Sequence, residues 1–297
     1  MGMAEDSVLI AGCGDIGLRV AGLEQAAGRR VLGLARSAAA ALRLAGAGVE
    51  AVAGDLDQAN ALDGLPAGVA VLYYFAPPPP QGDFDPRLAG LLAGLDAPAA
   101  PRRLVYISTS GVYGDCGGAW VDEGWPVNPR SARGKRRAAA ESCLREWAGA
   151  RGVDAVVLRV PGIYGPGRLP KERILRGVPV VRVEESPWSN RVHADDLAQA
   201  CFLAARRGAA GGVYNVSDGQ PSTMTDYFFQ VADCLGLPRP PAITLEAARR
   251  VLGPGVLSFL EESKRLDNRR MREELGVALR YPRLAEGLAA CLAAETA

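Results

Sequence analysis

The run Gly12-Cys13-Gly14-Asp15-Ile16-Gly17 is the part of this sequence best suited to chemistry. In such a run the first glycine permits a tight turn. The second lets backbone approach a pyrophosphate, and the third lets a helix pack close to a strand. The apolar stretch Ser7–Ala11 precedes the run and a helical pattern opens at Ile16, which is the context a dinucleotide fingerprint requires. Helix N–H groups and the helix dipole would then face the anion. Asp15 carries the wrong charge for that neighbour, so its carboxylate is expected to point away. Cys13 reads as a small buried filler.

The end of the second strand carries the next signal. Arg36-Ser37 stands there, with no Asp or Glu between Arg29 and Arg43. An acid at this place favours a ribose 2′-hydroxyl, whereas a guanidinium suits a 2′-phosphate. The expected cofactor is therefore NADP, with NAD as the alternative. Asp55-Leu56, after the third strand, could flank the adenine, and Asp55 fits an N-cap as well. Ala76 and Pro77, directly after the fourth strand, complete the cofactor side.

These residues need a scaffold. Strand-like runs occur at Ser7–Ala11, Arg30–Ala35, Val49–Ala53, Val69–Phe75, Arg103–Ser108 and Ala155–Val160, each apolar almost throughout. Helical patterns alternate with them at Ile16–Ala27, Ala38–Ala45, Arg87–Leu95 and Arg133–Ala150. This alternation predicts an α/β Rossmann-type, doubly wound parallel sheet. The last third holds a helix at Ala194–Arg206, a strand at Gly212–Val216 and proline-punctuated helices near Thr223–Leu235, Leu245–Leu252, Asn268–Leu275 and Leu284–Ala294. The expected division is a dinucleotide-binding domain over 1–170, completed by 191–217. A smaller, mainly helical substrate lobe takes 171–190 and 218–297.

Bulk properties narrow the classes. The 297 residues carry a net charge of +1, which gives no basis for a nucleic-acid or membrane surface. The six cysteines form no CxxC pair and there is one histidine, His193, so no metal site is indicated. No apolar run of about 18 residues exists, and no leader pattern opens the chain, so a cytoplasmic location is expected.

Further motifs follow the strands: Ile107-Ser108-Thr109-Ser110-Gly111-Val112-Tyr113-Gly114, Leu158-Arg159-Val160-Pro161-Gly162-Ile163-Tyr164-Gly165, Asn190-Arg191-Val192-His193-Ala194-Asp195-Asp196 and Tyr214-Asn215-Val216-Ser217-Asp218-Gly219. In this order and spacing the chain resembles the extended short-chain dehydrogenase/reductase, or NAD-dependent epimerase/dehydratase, family. The resemblance implies a cofactor domain, a substrate lobe and nucleotide-sugar substrates. It places Ser108 and Thr109 at the cofactor and Ser110, Asn190 and Arg191 on the substrate side.

The departure lies in the family's Tyr-x-x-x-Lys. Counted back from Glu141, Arg133 takes the tyrosine place and Arg137 the lysine place. Arginine stays protonated and cannot be the acid/base group. Arg137 could still hold ribose or phosphate, and Arg133 would face substrate. The chain thus looks like an atypical branch, and Thr109, Tyr113 and Tyr164 are the remaining catalytic candidates. For Tyr113 and Tyr164 packing is the commoner role of aromatics at strand ends, and Asp195 and Asp196 read as caps of the following helix. Two functions stay open: an oxidoreductase or epimerase on a carbonyl or hydroxyl substrate with a rewired acid/base, or a non-catalytic NADP(H) sensor. A homodimer through the Arg133–Ala150 helix is compatible with either.

Overall fold

A computed structural model describes residues 7–58, 68–95 and 100–296. Seven strands make one parallel sheet: β1 (Ser7–Ala11), β2 (Arg30–Ala35), β3 (Glu50–Ala53), β4 (Val71–Tyr74), β5 (Arg103–Thr109), β6 (Asp154–Val160) and β7 (Val213–Asn215). Their order is β7-β6-β5-β4-β1-β2-β3, and every pairing is parallel. The chain runs outward one way from β1 through β2 and the other way from β4. The carboxyl ends of β1 and β4 therefore flank the crevice where ligands bind in such sheets.

The alternation within strands explains the layers. In β1, Val8 and Ile10 join one apolar cluster while Leu9 and Ala11 join the other. Both faces are buried, so both must be covered. Helices α1 (Asp15–Ala26) and α2 (Ala38–Gly46) cover the first face, joined later by α6 (Ala194–Arg207). Helices α3 (Pro86–Gly94) and α4 (Ala132–Arg151) cover the second. Helix and strand limits differ from the sequence reading by one or two residues, since caps set the ends: Asp85 caps α3 and Ser131 caps α4.

Part of the remainder builds a separate small core, while Met271, Leu275 and Val277 join the first face of the sheet. Helices α5 (Lys171–Leu175), α7 (Met224–Cys234), α8 (Leu245–Val251), α9 (Pro254–Leu260), α10 (Arg269–Glu273) and α11 (Leu284–Thr296) follow in order. Ile174, Tyr227, Phe228, Val231, Leu284 and Leu288 form its centre. The sequence reading placed no helix at α5 or α9, of five and seven residues. Two- and three-residue strand pairs stitch this part together, such as Gly162–Tyr164 with Arg191–His193 and Trp120–Val121 with Arg265–Leu266.

The cap of α6 corrects one expectation. His193, not Asp195 or Asp196, is its N-cap: His193 Nδ1 accepts from the Asp195 N–H at 3.2 Å. Asp196 instead accepts from the Arg280 and Tyr281 N–H groups at 2.7 and 3.1 Å, tying the C-terminal segment to α6. Among the described residues no helix is long and apolar enough to cross a membrane.

Candidate functional site

Gly12 has φ +95°, and a Cβ there would stand 2.4 Å from the Ala76 nitrogen on the next strand's exit. Only glycine fits that turn. A Cβ on Gly14 would meet nothing within 4 Å, since it would project into open space. Gly14 is also the N-cap of α1 and offers no side chain to it, so the first-turn N–H groups are left for a ligand. A Cβ on Gly17 would press on the Gly12 carbonyl at 3.0 Å and Ile10 Cγ2 at 3.2 Å. The turn is thus open at Gly14 and closely packed at Gly12 and Gly17.

A cleft of about 640 Å³ extends from the turn. The structure brings Gly12, Cys13, Gly14, Asp15, Ile16, Gly17, Arg36, Asp55, Leu56, Ala76, Pro77 and Arg137 onto its wall, and adds Arg43 and Arg168. Ser37 is not on that wall; its hydroxyl accepts the Ala40 N–H as the cap of α2. Asp15 does not point away. It lines the cleft between Arg19 Nε at 2.9 Å and Arg168 Nε at 2.6 Å. Burial works to raise its pKa, but the two guanidiniums outweigh burial and hold the carboxyl below the usual range. Its charge is thus answered before any phosphate arrives. Burial pushes the Cys13 thiol up to about 11, so it is a filler rather than a nucleophile.

A second chamber of about 690 Å³ adjoins the cleft, and Ile163 and Arg168 belong to both walls. Thr109, Ser110, Arg133, Asn190 and Arg191 all face it. Arg133 and Arg137 on α4 are one helical turn apart and share a face. Arg137 donates to the Tyr106 hydroxyl at 3.0 Å on the cleft side. Arg133 reaches the chamber, where it donates to Ser258 Oγ at 2.7 Å and lies 3.6 Å from the Phe259 ring centre. Asn190 spends its amide on backbone, donating to the Lys264 carbonyl and accepting from the Leu266 N–H.

Three candidates fall elsewhere. Ser108 is buried and donates to Glu141, which also receives Arg159 Nη2 at 2.8 Å. Tyr113 is buried under Arg159, donates to Asn215 Oδ1 at 2.8 Å and is pushed up to about 12 by burial. Tyr164 is fully buried edge-on to His193, with its hydroxyl against Gly287, and burial pushes it above the usual range. Neither tyrosine lines the cleft or the chamber, so neither is placed to move a substrate proton. The tyrosine that does face the chamber is Tyr227.

Glu262 and Lys264 escaped the sequence reading. Both are buried, both line the chamber, and Lys264 Nζ lies 3.1 Å from Glu262 Oε2. Glu262 also accepts from Ser131 Oγ at 3.0 Å and sits 3.7 Å from Arg133 Nη2. No motif marks them; a loop between α9 and α10 carries them in.

Asp218 offers a clean test of burial. Desolvation raises its carboxyl to about 7, opposed by the Gln220 N–H and Arg191. A carboxyl raised on folding binds its proton in the native state while the unfolded chain has released it. Its contribution is therefore present at low pH and is lost as pH rises from about 4 to about 7. The isosteric Asp218→Asn keeps the oxygen that accepts from Gln220. Its melting temperature, relative to wild type, is expected to rise steadily from pH 4 to 8. A difference that stays flat with pH would show that Asp218 is not held up.

The sheet order, the switch point and the glycine turn define a Rossmann-type α/β fold. The model of the NAD dependent epimerase/dehydratase family matches residues 88–217. Over those residues the chain is similar to that family. It is 33% identical to a functionally unknown conserved protein from Silicibacter pomeroyi, with a TM-score of 0.83, covering 98% of this chain and 100% of that one. It is 31% identical over 180 residues to Protein YeeZ of Escherichia coli K12, which spans 61% of this chain and 59% of that relative. The fold is also that of DesIV, a dTDP-glucose 4,6-dehydratase from Streptomyces venezuelae with NAD bound, at TM-score 0.79, 22% identity and coverage of 96% and 95%.

Proposed function

We propose that this protein binds NADP(H) in the glycine-turn cleft and passes hydride between it and a small carbonyl or hydroxyl substrate in the adjoining chamber. The observation that carries this reading is the shared wall at Ile163 and Arg168, which sets the glycine-turn cleft against a second chamber lined by Thr109, Arg191 and Glu262. The DesIV structure, which holds NAD, shares the fold. A bound nicotinamide would supply the hydride. The chain's residues would hold it, keep it against the substrate and handle the proton.

Arg36 and Arg43 support the phosphorylated cofactor. Both line the cleft beyond the turn, and among the described residues Arg36 has no ion pair. The nearby Asp57 is already engaged by Arg87 at 2.6 and 2.7 Å. Proton handling falls to Glu262 and Lys264, because Glu262 is the one carboxylate among the described residues lining the chamber. Thr109 would hydrogen-bond the reacting oxygen. Arg133, pinned to Ser258 and Phe259, would orient rather than titrate.

Fluorescence titration tests the cofactor half. Arg36→Ala is expected to raise the NADPH dissociation constant about ten- to a hundred-fold, the worth of one charge-assisted contact. NADH affinity should stay within about twofold. Equal losses for both cofactors would remove the 2′-phosphate assignment. Nicotinamide oxidation across a panel of carbonyl compounds tests hydride transfer. The replacement of the family tyrosine by Arg133 favours a second reading, a non-catalytic NADP(H) sensor. It would be marked by tight, redox-state-dependent binding without turnover.

A further inference from the structure

Five cations line the second chamber: Arg133, Arg168, Arg173, Arg191 and Lys264. Three of them are answered by carboxylates. Arg133 and Lys264 share Glu262, and Arg168 is paired with Asp15. Arg173 and Arg191 are in no ion pair among the described residues. The uncompensated positive charge is therefore concentrated at one end of the chamber.

That end is built. Helix α7 presents two neighbouring rings, Tyr227 and Phe228, with centres 5.7 Å apart. Arg191 lies over the first at 4.3 Å and Arg173 over the second at 4.6 Å. Stacking on an aromatic face recovers about 0.5–2 kcal/mol per cation and fixes the plane of the fork. Gly162 makes room for one arm, since a Cβ there would stand 3.2 Å from Arg191 Cδ. Arg191 Nη1 donates to the Asn190 carbonyl at 2.6 Å, and Arg173 Nη2 to the Pro179 carbonyl at 3.4 Å. Arg173 Nε is buried with no acceptor.

Burial pulls both guanidiniums below their usual range; nothing opposes it for Arg173, and Tyr227 and Asp218 oppose it only in part for Arg191. Asp218 is itself raised by burial to about 7, so around neutrality it is a weak counter-ion. Desolvated cations without counter-ions are costly unless an anion completes them. Glu262 lies beside Gly111 and Thr109 and repels anions there, which gives the chamber a direction.

We propose that Arg173 and Arg191 form an anion-binding subsite that takes a carboxylate or phosphate group of the substrate, leaving its reacting end toward Thr109 and Glu262. The subsite rests on the reading of this chamber as the substrate site. It does not rest on the identity of the dinucleotide.

Isothermal titration with inorganic phosphate and with malonate tests it, each run with and without saturating NADP+. The wild-type protein should bind at least one of the two anions with NADP+ present. Tighter phosphate binding marks a phosphate ester as the substrate class, and tighter malonate binding marks a carboxylate. Arg173→Gln and Arg191→Gln should each weaken that binding at least about tenfold, as loss of a charge-assisted fork implies. NADPH affinity should stay within about twofold in both. Arg30→Gln, at the amino end of β2 and paired with Glu50, controls for loss of charge alone. Arg173→Gln guards against misfolding of the more deeply placed Arg191→Gln. The proposal fails if neither anion binds wild type, or if both variants bind as wild type does. Failure of wild type to bind NADPH would instead overturn the dinucleotide reading, and the anion titrations without NADP+ would still report on the subsite.

Discussion

Gly14→Val is expected to fold normally and to lose at least about 100-fold in NADPH affinity. The backbone at Gly14, φ −84° and ψ −150°, lies at the border of the extended region and has no positive φ. A Cβ there touches nothing within 4 Å. Valine is a poor N-cap, but Gly14 provides no side-chain cap to lose, so the cost is about 1 kcal/mol at most. In a chain of this size that lowers the melting temperature by only about 2–4 °C. The isopropyl group would, however, stand over the start of α1, where the pyrophosphate must approach backbone. Thermal melting and fluorescence titration separate the two effects. Tight NADPH binding by a folded Gly14→Val would mean that the dinucleotide does not lie on this turn. Gly12→Val would not serve, since its strained φ and the contact with Ala76 would damage the fold itself.

The second large effect concerns stability. Replacing Glu141 with leucine should cost about 3–5 kcal/mol, read from urea unfolding. Glu141 and Arg159 are both buried, with side chains 3% and 4% exposed and 2.8 Å between Oε2 and Nη2. Glu141 also receives Ser108, so one carboxylate ties α4 to β5 and β6. Removing it leaves the Arg159 guanidinium in the interior with only the Tyr113 ring and the Glu123 carbonyl. A double replacement, Glu141→Leu with Arg159→Met, should recover much of the loss, because two apolar side chains leave no buried charge uncompensated. If Glu141→Leu cost under about 1 kcal/mol, the pair would be solvated rather than buried.

These two residues show how legibility varies along the chain. Glycine spacing speaks for itself, because the backbone conformation it permits is a local property. Gly12 could be read at once, and the structure places its missing side chain against Ala76. Buried strands such as Val71–Tyr74 were also legible, since apolar composition without interruption is what a strand covered on both faces needs. Ser108 was read as a cofactor contact from its place at the end of β5, yet it turns to the Glu141 side. Its direction depends on strand parity, and at a strand end a shift of one residue exchanges the faces. Tyr113 and Tyr164, catalytic candidates with packing as the commoner role, turn inward for a related reason. They follow strands at the ligand end of the sheet, but the turn Ser110–Tyr113 and the pairing of Gly162–Tyr164 with Arg191–His193 fold their rings inward.

The sequence by itself determined the sheet, the glycine turn and the arginine at the end of β2. Each follows from residue type and short-range spacing, which act through local sterics and periodic burial. Tertiary structure alone decided what surrounds the second chamber. Glu262 and Lys264 meet Ser131 and Arg133 across more than a hundred residues of chain, and Arg173 and Arg191 meet through two rings on α7. Whether a charged side chain is paired or left for a ligand depends on what packs over it. That is set by long-range packing and leaves no periodic trace in the sequence.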